Sequence, residues 1–491
     1  MPNLNSQVAN ATKWSVVTEV MAKLVTPISN MVLARLLTPE AFGVVATLTM
    51  IIAFAEIFTD AGFQKYLIQK QFIDDDDRDK DTNVAFWSNL VMSLVLWGVI
   101  AIFSDSLATL VGSPGLGFVL IVSCAAIPIA AFSSIQMALF RKDLDFKTLF
   151  YRRLVSVIVP LCVTVPLAFW LRSYWALVIG TVATNLSNAI VLTIKSNWSP
   201  RIYYSFSRLR KMFSYTAWAI VDAILIWATN YADIFFIGLM LSDYYLGLYR
   251  TSMGTVGAIT SVITASILPV VMPALSKAKS DNNTLRAMLL QLQKYTSIIL
   301  LPIGFGIFAF RDLITAILLG DQWGEAAPFI GLWGLMDVIV VIFARFGSNL
   351  YPAIGKPKLS VLAQVLHLIV VIPAVVISIR YGFTALYWTR SIVRLEAVLV
   401  NLILIYYCIQ LRPWRMILNL LPEFIGCIIM MMFSLALLSF SNGYVISFIW
   451  ILLASAVYFA TLWLFPAERV VLVQLWMKIR ESIPKPKFFH K

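Results

Sequence analysis

The sequence has few charged residues for its length. Only 13% of its 491 residues are Asp, Glu, Lys or Arg, whereas 60% are hydrophobic. Soluble globular domains carry about a quarter charged residues and about 45–50% apolar ones. The composition therefore excludes a soluble globular protein and places the chain in a lipid bilayer.

Histidine and cysteine are also scarce. The four cysteines, Cys124, Cys162, Cys408 and Cys427, fall in apolar stretches without the paired spacing of disulfide frameworks or zinc sites. We therefore expect no metal site and no bound cofactor. The first ten residues contain no basic segment, so we expect the first apolar stretch to remain as a helix and not to be cleaved as a signal peptide.

Long polar loops are missing too. No loop between apolar stretches is longer than about twenty residues, which leaves no room for a soluble catalytic domain and indicates that the chain is not an enzyme. The acidic run at 74–81 has some likeness to a calcium loop, but Lys80 and Phe86 stand where such a loop requires Gly and Glu. We interpret the run as a solvated helix cap.

Long apolar runs account for most of the chain. A bilayer core of about 30 Å needs about 20 apolar residues per helix. Fourteen stretches of this kind lie at residues 11–33, 41–63, 84–104, 116–140, 150–171, 174–194, 213–240, 245–274, 295–310, 326–350, 359–379, 383–409, 417–440 and 443–465. We predict an all-α integral membrane protein with 14 transmembrane helices: two six-helix parallel repeats and two extra C-terminal helices.

This pattern divides the chain into five segments. They are an N-lobe at 1–194 (helices 1–6), a cytoplasmic connector at 195–212, a C-lobe at 213–409 (helices 7–12), helices 13 and 14 at 410–465, and an amphipathic basic cytoplasmic tail at 466–491.

The net charge of +13 fits a membrane topology. The basic residues stand in short loops between apolar stretches, so nucleic acid is not an expected partner. With the N-terminus in the cytoplasm, the outer loops hold only Arg35, Arg172, Arg311 and Arg380. The inner loops then hold Lys65, Lys70, Arg78, Lys80, Arg141, Lys142, Lys147, Arg152, Arg153, Lys277, Lys279, Arg286, Lys294, Lys356, Lys358, Arg412 and Arg415, with the basic connector. Both termini are therefore predicted to be cytoplasmic.

Two phrases stand out between Trp14 and Gln71. The first is Ala34-Arg-Leu-Leu-Thr-Pro-Glu-Ala-Phe-Gly43, in which Pro39 suits the first position of a helix and Gly43 permits close backbone approach. The second is Asp60-Ala-Gly-Phe-Gln-Lys-Tyr-Leu-Ile-Gln69. A shift of 204 residues aligns Trp14, Leu37, Thr38, Phe42 and Gly43 with Trp218, Leu241, Ser242, Leu246 and Gly247 without a gap, which indicates an internal duplication.

These phrases resemble the polysaccharide-transporter branch of the multidrug/oligosaccharidyl-lipid/polysaccharide flippase superfamily. Its Wzx-type members are similar to this chain from about residue 8 to 465. The resemblance implies a multi-pass flippase of the bacterial inner membrane that moves undecaprenyl-pyrophosphate-linked sugar repeat units. It also implies a monomer, with a polysaccharide polymerase and a chain-length regulator as partners.

Basic residues inside the apolar stretches are candidates for binding pyrophosphate or acidic sugar. Ionisable groups at this depth cost about 2.5–3.5 kcal/mol each to insert, so each needs a partner or a function. The candidates are Lys23, Arg250, Arg345, Arg390 and Arg394. Arg390 and Arg394 lie one turn apart and match phosphate geometry. The alternative for these two is a buried tie to Glu396 or Glu423.

Acidic residues inside the stretches are candidates for coupling transport to protons or sodium. They are Glu19, Glu56, Asp222, Asp233 and Asp337. Glu19 has the favourable spacing to neutralise Lys23, and Glu56 lies one turn from Asp60, for which we expect a structural role. Asp222 and Asp233 either coordinate a cation or pair with Arg250. Asp337 and Arg345, two turns apart, are expected not to touch.

Three functions are compatible with these patterns. The first is a flippase for lipid-linked oligosaccharides, working by alternating access. The second is a cation-coupled antiporter for drugs or small molecules, which would need an acidic cleft without basic partners. The third is a membrane-bound polymerase or acyltransferase, which the short outer loops disfavour.

Overall fold

The computed structural model describes residues 4–60, 62–279, 281–439 and 443–482, and every regular element among them is helical. The prediction of an all-α protein is confirmed. The helices are Leu4–Leu36 (α1), Pro39–Asp60 (α2), Phe63–Gln69 (α3), Asp75–Ile102 (α4), Ser104–Leu110 (α5), Gly117–Cys124 (α6), Ala126–Lys142 (α7), Phe146–Val159 (α8), Val165–Leu171 (α9), Trp175–Lys195 (α10), Phe206–Met240 (α11), Asp243–Ala278 (α12), Asn282–Ala309 (α13), Arg311–Leu318 (α14), Ala327–Val340 (α15), Phe346–Ala353 (α16), Lys358–Ile379 (α17), Phe383–Ile409 (α18), Pro413–Leu418 (α19), Leu421–Leu438 (α20), Tyr444–Trp463 (α21) and Pro466–Ser482 (α22).

Short π-helical turns separate α8 from α9 and α15 from α16. Pro160–Thr164 and Val341–Arg345 are π-helical, and Asp321–Ala326 forms a 3₁₀ turn. Among the described residues, 12 helical spans are long and apolar enough to cross a membrane. Two of these helices begin earlier in the chain than the sequence predicted. Asp75–Ile102 and Asn282–Ala309 begin about nine and thirteen residues before the predicted apolar stretches, because a helix continues beyond its lipid-facing part.

The chain forms two compact units. The larger unit comprises Met1–Ser261, Thr315–Ala326 and Gln364–Val393, and the smaller unit comprises Val262–Ile314, Ala327–Ala363 and Arg394–Lys491. The larger unit has several apolar clusters, one of them centred on Phe86 and Ile135. The smaller unit has one large cluster, which includes Leu301, Val341 and Tyr458 and against which Val471 and Leu472 of α22 pack.

The turns at Gly43 and Gly247, which the shift of 204 residues aligns, pack against each other within the larger unit. Helix α2 begins at Pro39, as predicted. A Cβ atom on Gly43 would lie 1.9 Å from the carbonyl oxygen of Asp243, and a Cβ atom on Gly247 would lie 1.8 Å from the carbonyl oxygen of Pro39. Each glycine therefore admits the backbone of the opposite turn at a distance that no side chain allows. The close approach predicted at Gly43 is confirmed.

The end of α1 is capped from a distant part of the larger unit. The indole Nε1 of Trp323 donates to the carbonyl of Ala34 at 2.8 Å, and Gln322 Nε2 donates to the carbonyls of Ala34 and Leu37. The last carbonyls of a helix have no partners within it, so these side chains satisfy groups that would otherwise be left open. In return, Arg35 donates to the carbonyl of Ile317 at 2.7 Å.

The acidic run caps α4 but is only partly solvated. Asp74 accepts from the backbone N–H of Asp77 at 2.7 Å, so the predicted helix cap is confirmed. Asp77 and Asp81 instead form an ion-pair cluster with Lys70 and Arg208, with nitrogen–oxygen distances between 2.5 and 2.9 Å. Asp81 is buried, so the prediction of a fully solvated run was wrong. The reason is that cations from two other helical segments reach this turn.

We expect Asp81→Asn to lower the melting temperature of the purified protein and Asp76→Asn to leave it nearly unchanged. Asp81 holds both cations of the cluster, and a hydrogen bond to a charged group contributes about 1.5–3 kcal/mol. Asp76 is exposed and pairs with Lys80 within the same helix, a kind of contact that contributes about 0.3–0.5 kcal/mol. Equal shifts for the two variants would contradict this assignment.

The same cluster sets a pH range for this contribution. Burial alone lowers the pKa of Lys70, but the hydrogen bonds to Asp81 and Asp77 outweigh it and raise the pKa above the usual lysine value. The stability from this lysine is therefore complete below the unfolded lysine pKa of about 10.4. It is lost only as the pH rises through the higher folded value. The melting-temperature difference between wild type and Asp81→Asn should accordingly be constant across neutral pH.

Candidate functional site

A polar cavity of about 460 Å³ lies inside the larger unit. This volume is within the ~300–1,000 Å³ range of small-molecule sites. Its walls come from α2, α4, α7, α8, α10, α11 and the segment around α3. The polar side chains that line it are Glu56, Thr59, Gln64, Lys65, Asn89, Ser133, Ser134, Arg152, Asn185 and Asn188. A set of amides, hydroxyls and opposite charges within apolar helices is suited to binding a polar ligand.

Asn89 of α4 is the most deeply buried amide of the cavity. Its side chain lies among α7 residues and donates to Ser134 Oγ at 2.6 Å and to the carbonyl of Ala131 at 3.4 Å. Its Oδ1 atom is buried and accepts no hydrogen bond. Buried acceptors are nearly always satisfied in folded proteins. A donor from a bound ligand, such as a hydroxyl group, would complete this amide.

Arg152 of α8 brings a guanidinium group to the cavity. Its Nη1 atom donates to the thioether sulfur of Met137 at 3.1 Å, which is a weak acceptor. No ion pair joins Arg152 to a carboxylate in the part of the chain that the structure describes. Neighbouring cations are otherwise engaged: Arg141 donates to Gln64, and Lys142 donates to three backbone carbonyls. Arg152 is therefore a cavity cation that is suited to receive an anion.

A buried ion pair with a bound tyrosine hydroxyl lies elsewhere in the larger unit. Asp233 of α11 accepts from Tyr249 Oη at 2.6 Å and from Arg390 Nε at 3.2 Å, and both charged side chains are buried. Sequence reasoning offered Arg250 as a possible partner of Asp233, but the cation here is Arg390. The guanidinium of Arg250 instead lies 5.5 Å from the centre of the Tyr231 ring.

A second buried group lies in the smaller unit. Arg394 Nη2 donates to Asp337 Oδ1 at 2.7 Å, and its guanidinium lies 4.0 Å from the centre of the Trp333 ring. Arg345 Nη2 lies 3.7 Å from the same carboxylate oxygen. The expectation that Asp337 and Arg345 do not touch was wrong. Helical side chains point toward the N-terminus, and the long arginine side chain therefore leans back toward Asp337.

The partners of Arg390 and Arg394 also differ from those expected. The carboxylates are Asp233 and Asp337, whereas Glu396 and Glu423 were offered as the buried tie. Glu423 pairs with Lys294. These partners lie 157 and 57 residues away in the sequence. Spacing along one helix identifies a buried charge but cannot identify a partner on another.

The other candidate residues have different surroundings. Glu56 lines the cavity. Lys23 donates to the backbone carbonyl of Ser261 at 2.8 Å. The side chains of Glu19, Asp60 and Asp222 lie outside the described residues. Among the described side chains, the structure pairs Asp233 with Arg390 and Asp337 with Arg394, and Arg345 lies beside the second pair.

Sequence reasoning missed most of the cavity. Arg152 and Lys65 were counted as loop residues for the topology, and the asparagines were not considered. A signal was present, because Asn185 and Asn188 are three residues apart within an apolar stretch and thus share a helix face. A polar pair of this kind in a membrane helix indicates a polar lining.

Together these features define a multi-pass α-helical membrane protein with a polar cavity among its helices. The sequence profile of the family described as "Polysaccharide biosynthesis protein" matches residues 32–328, and the chain belongs to that family.

Individual relatives extend this result. The chain is 21% identical over 382 residues to "Lipopolysaccharide biosynthesis protein WzxC" of Escherichia coli, covering 77% of this chain and 76% of the relative. It is 23% identical over 346 residues to "Succinoglycan biosynthesis transport protein ExoT" of Rhizobium meliloti, covering 70% and 69%. Among solved structures, "Lipid II flippase MurJ, inward closed conformation" is similar with a TM-score of 0.75 at 15% identity, covering 94% of this chain and 100% of that one. At this identity the likeness to the solved structure establishes the fold alone.

Proposed function

We propose that this protein is a flippase that moves undecaprenyl-pyrophosphate-linked oligosaccharide repeat units across the bacterial inner membrane for surface polysaccharide biosynthesis. Its relatives include a succinoglycan transport protein and a lipopolysaccharide biosynthesis protein, and their names support this substrate class. The observation that carries the proposal is the polar cavity, because a sugar crossing a bilayer needs hydrogen-bonding groups in place of water.

The proposal includes an arrangement in the membrane. In this arrangement the protein has 14 transmembrane helices, namely the 12 apolar spans together with α1 and α12. Both termini face the cytoplasm. Two six-helix repeats would open alternately to each side of the membrane. The protein would act as a monomer and pass its cargo to a polysaccharide polymerase and a chain-length regulator.

Within this scheme the cavity binds the polar part of the cargo. The amides Asn89, Asn185 and Asn188 would bind sugar hydroxyls, and Arg152 would bind a phosphate or carboxylate group. Glu56 is the carboxylate in the cavity, and we propose it as the site where proton or sodium uptake could couple to transport. Because Arg390 and Arg394 are held by buried aspartates, we propose that they position helices and do not bind the cargo.

The alternative is a cation-coupled drug antiporter. Such a protein would need an acidic cleft without basic partners, whereas this cavity contains Arg152 and Lys65 beside Glu56. The net charge of these three groups favours an anionic cargo. Among the described residues that line the cavity there is no cysteine to act as a nucleophile and no histidine to act as a base. We therefore propose transport in preference to polymerase or acyltransferase chemistry.

We expect Arg152→Gln to reduce surface polysaccharide about tenfold or more in a strain that lacks its own flippase and is rescued by wild type. Loss of a charge-assisted hydrogen bond costs about 1.5–3 kcal/mol, which corresponds to this range. The matched control is Arg153→Gln. Arg153 has the same charge and the adjacent position in the same helix, but it is exposed and does not line the cavity.

Membrane abundance of the two variants must be equal for the comparison to hold. Arg152→Lys should recover only part of the activity, because an ammonium group cannot bind an oxyanion with two parallel hydrogen bonds. Similar polysaccharide levels for Arg152→Gln and Arg153→Gln would refute the anion-binding role of the cavity.

A further inference from the structure

Three charged side chains from different helices meet in the smaller unit. Lys294 of α13 lies 3.0 Å from Glu423 Oε1 of α20 and 2.5 Å from Glu468 Oε1 of α22. Lys294 also donates to the backbone carbonyl of Asn419 at 2.6 Å. We call these three residues the lysine–glutamate triad. It fixes the start of the C-terminal helix α22 to the transmembrane core.

The triad has one more acid than base. If all three groups are ionised, the net charge is −1. The exposed fraction of the side chain is 0% for Glu423, 2% for Glu468 and 12% for Lys294. The second carboxylate oxygen of Glu468, Oε2, is buried and has no hydrogen-bond partner. An uncompensated charge in such a place is costly, and a buried group in this position normally becomes neutral.

The surrounding groups provide no second cation. Ser297 of α13 donates a long hydrogen bond of 3.4 Å to Glu423, and the hydroxyl of Tyr458 of α21 donates to the carbonyl of Ile298. Cys427, one turn beyond Glu423, is a buried free cysteine and brings no cation. On α22 itself, Arg469 donates to the carbonyl of Trp463. Lys294 is therefore the one cation that faces the two glutamates within the described part of this unit.

We infer that the triad is a proton-binding site that links docking of α22 to pH. One proton taken up by a glutamate converts a carboxylate into a carboxylic acid, so that the cluster becomes neutral and gains an O–H donor. Loss of that proton leaves two carboxylates competing for one ammonium group. Glu468 is the member carried by the terminal helix, and undocking of α22 takes this carboxylate to water.

The consequence is a helix whose docking weakens as the pH rises. This follows from linkage, because the docked state binds one proton more than the undocked state in which Glu468 is solvated. The inference does not depend on which cargo the protein carries. It differs from coupling at Glu56, since it concerns the attachment of the C-terminal helix.

Hydrogen–deuterium exchange of the full-length protein in lipid nanodiscs tests this inference. Peptides from α22 are followed between pH 6 and pH 9, with rates corrected for intrinsic exchange and referred to peptides of α4 in the same sample. In wild type we expect protection of α22 to fall with rising pH, by up to about tenfold per pH unit for one linked proton. Protection of α4 should not follow this trend.

Glu468→Gln is the decisive variant, because glutamine imitates the neutral, protonated acid and cannot ionise. We expect its α22 protection to be high and independent of pH. Glu423→Gln should behave in the same way and provides a second test if one variant folds poorly. Asp312→Asn, at an exposed position in the same unit, should retain the wild-type pH dependence.

Three outcomes would overturn the inference: protection in wild type that does not change with pH, an unchanged pH dependence in both glutamine variants, or protection that follows sodium concentration at constant pH. The last would assign the site to sodium. Because exchange is measured without transport, failure here leaves the flippase proposal intact, and failure of complementation leaves this inference intact.

Discussion

Gly247→Ala is expected to prevent accumulation of folded protein, whereas Gly254→Ala on the same helix is expected to be tolerated. A Cβ atom at position 247 would lie 1.8 Å from the carbonyl oxygen of Pro39 and 2.6 Å from its carbon. Overpacking against flexible side chains costs about 1–3 kcal/mol. Here the neighbour is backbone at the start of α2 and cannot rotate away, so the cost should exceed that range.

The control separates packing from helix propensity. Gly254 lies two turns further along α12, and a Cβ atom there has no neighbour within 4 Å. Alanine is the better helix former by about 1 kcal/mol, so Gly254→Ala should be neutral or slightly stabilising. The measurement is the yield of monodisperse protein by size-exclusion chromatography after equal expression. Equal yields of the two variants would show that the turns can separate without penalty.

The reciprocal substitution provides an independent check. Gly43→Ala would place a Cβ atom 1.9 Å from the carbonyl oxygen of Asp243. Because each glycine meets the backbone of the opposite turn at nearly the same distance, their substitutions should cause losses of similar size. A loss at only one of the two positions would mean that the turns are held together by one contact.

The sequence predicted these turns because their signals are local. Pro39 at the first position of a helix and a glycine four residues later are properties of a short segment, and the shift of 204 residues repeats them at Gly247. The all-α class was equally accessible, since long apolar runs have few solutions in a bilayer. That the two turns pack against each other, however, requires the structure.

Helix ends were predicted less well, for a physical reason. Hydropathy marks the part of a helix that lies in lipid, whereas the hydrogen-bonded helix continues into polar surroundings. The first turns of α4 carry Asp75, Asp76 and Asp77, and α13 includes Arg286 and Lys294 before its apolar part. Lys294 was counted as a loop residue for this reason, and the triad with Glu423 and Glu468 was missed.

In the candidate site, too, the sequence identified one residue and missed another. Glu56 was identified because a carboxylate in an apolar stretch is conspicuous, and it does line the cavity. Arg152 was overlooked because it lies between a basic loop and a long apolar run. The positive-inside rule already explains a basic residue at such a position, so nothing in the sequence was a reason to consider it as a binding residue. Only the packing of seven helices reveals that its side chain lines the same cavity as Asn89 and Glu56.

Removal of Asp233 alone is expected to reduce folded protein strongly, and removal of its whole group is expected to restore it. In Asp233→Leu, the buried guanidinium of Arg390 and the hydroxyl of Tyr249 both lose the hydrogen bond to this carboxylate. Breaking a buried ion pair at one partner costs about 3–5 kcal/mol, whereas replacing both charges by apolar groups is often neutral or stabilising. The rescuing variant is therefore Asp233→Leu, Arg390→Met and Tyr249→Phe together.

Yield of monodisperse protein and rescue of surface polysaccharide separate the two roles considered for this group. If Asp233 and Arg390 position α11 against α18 within the larger unit, the triple variant should recover both folding and export. If instead Asp233 takes up a coupling cation and Arg390 binds the cargo, as the sequence suggested, the triple variant would fold and fail to export. We expect the first result, because Tyr249 and Arg390 already occupy the carboxylate oxygen Oδ2 of Asp233, and the N–H of Ile234 occupies Oδ1. A cation would have to displace these donors, and each displacement breaks a buried hydrogen bond to Asp233.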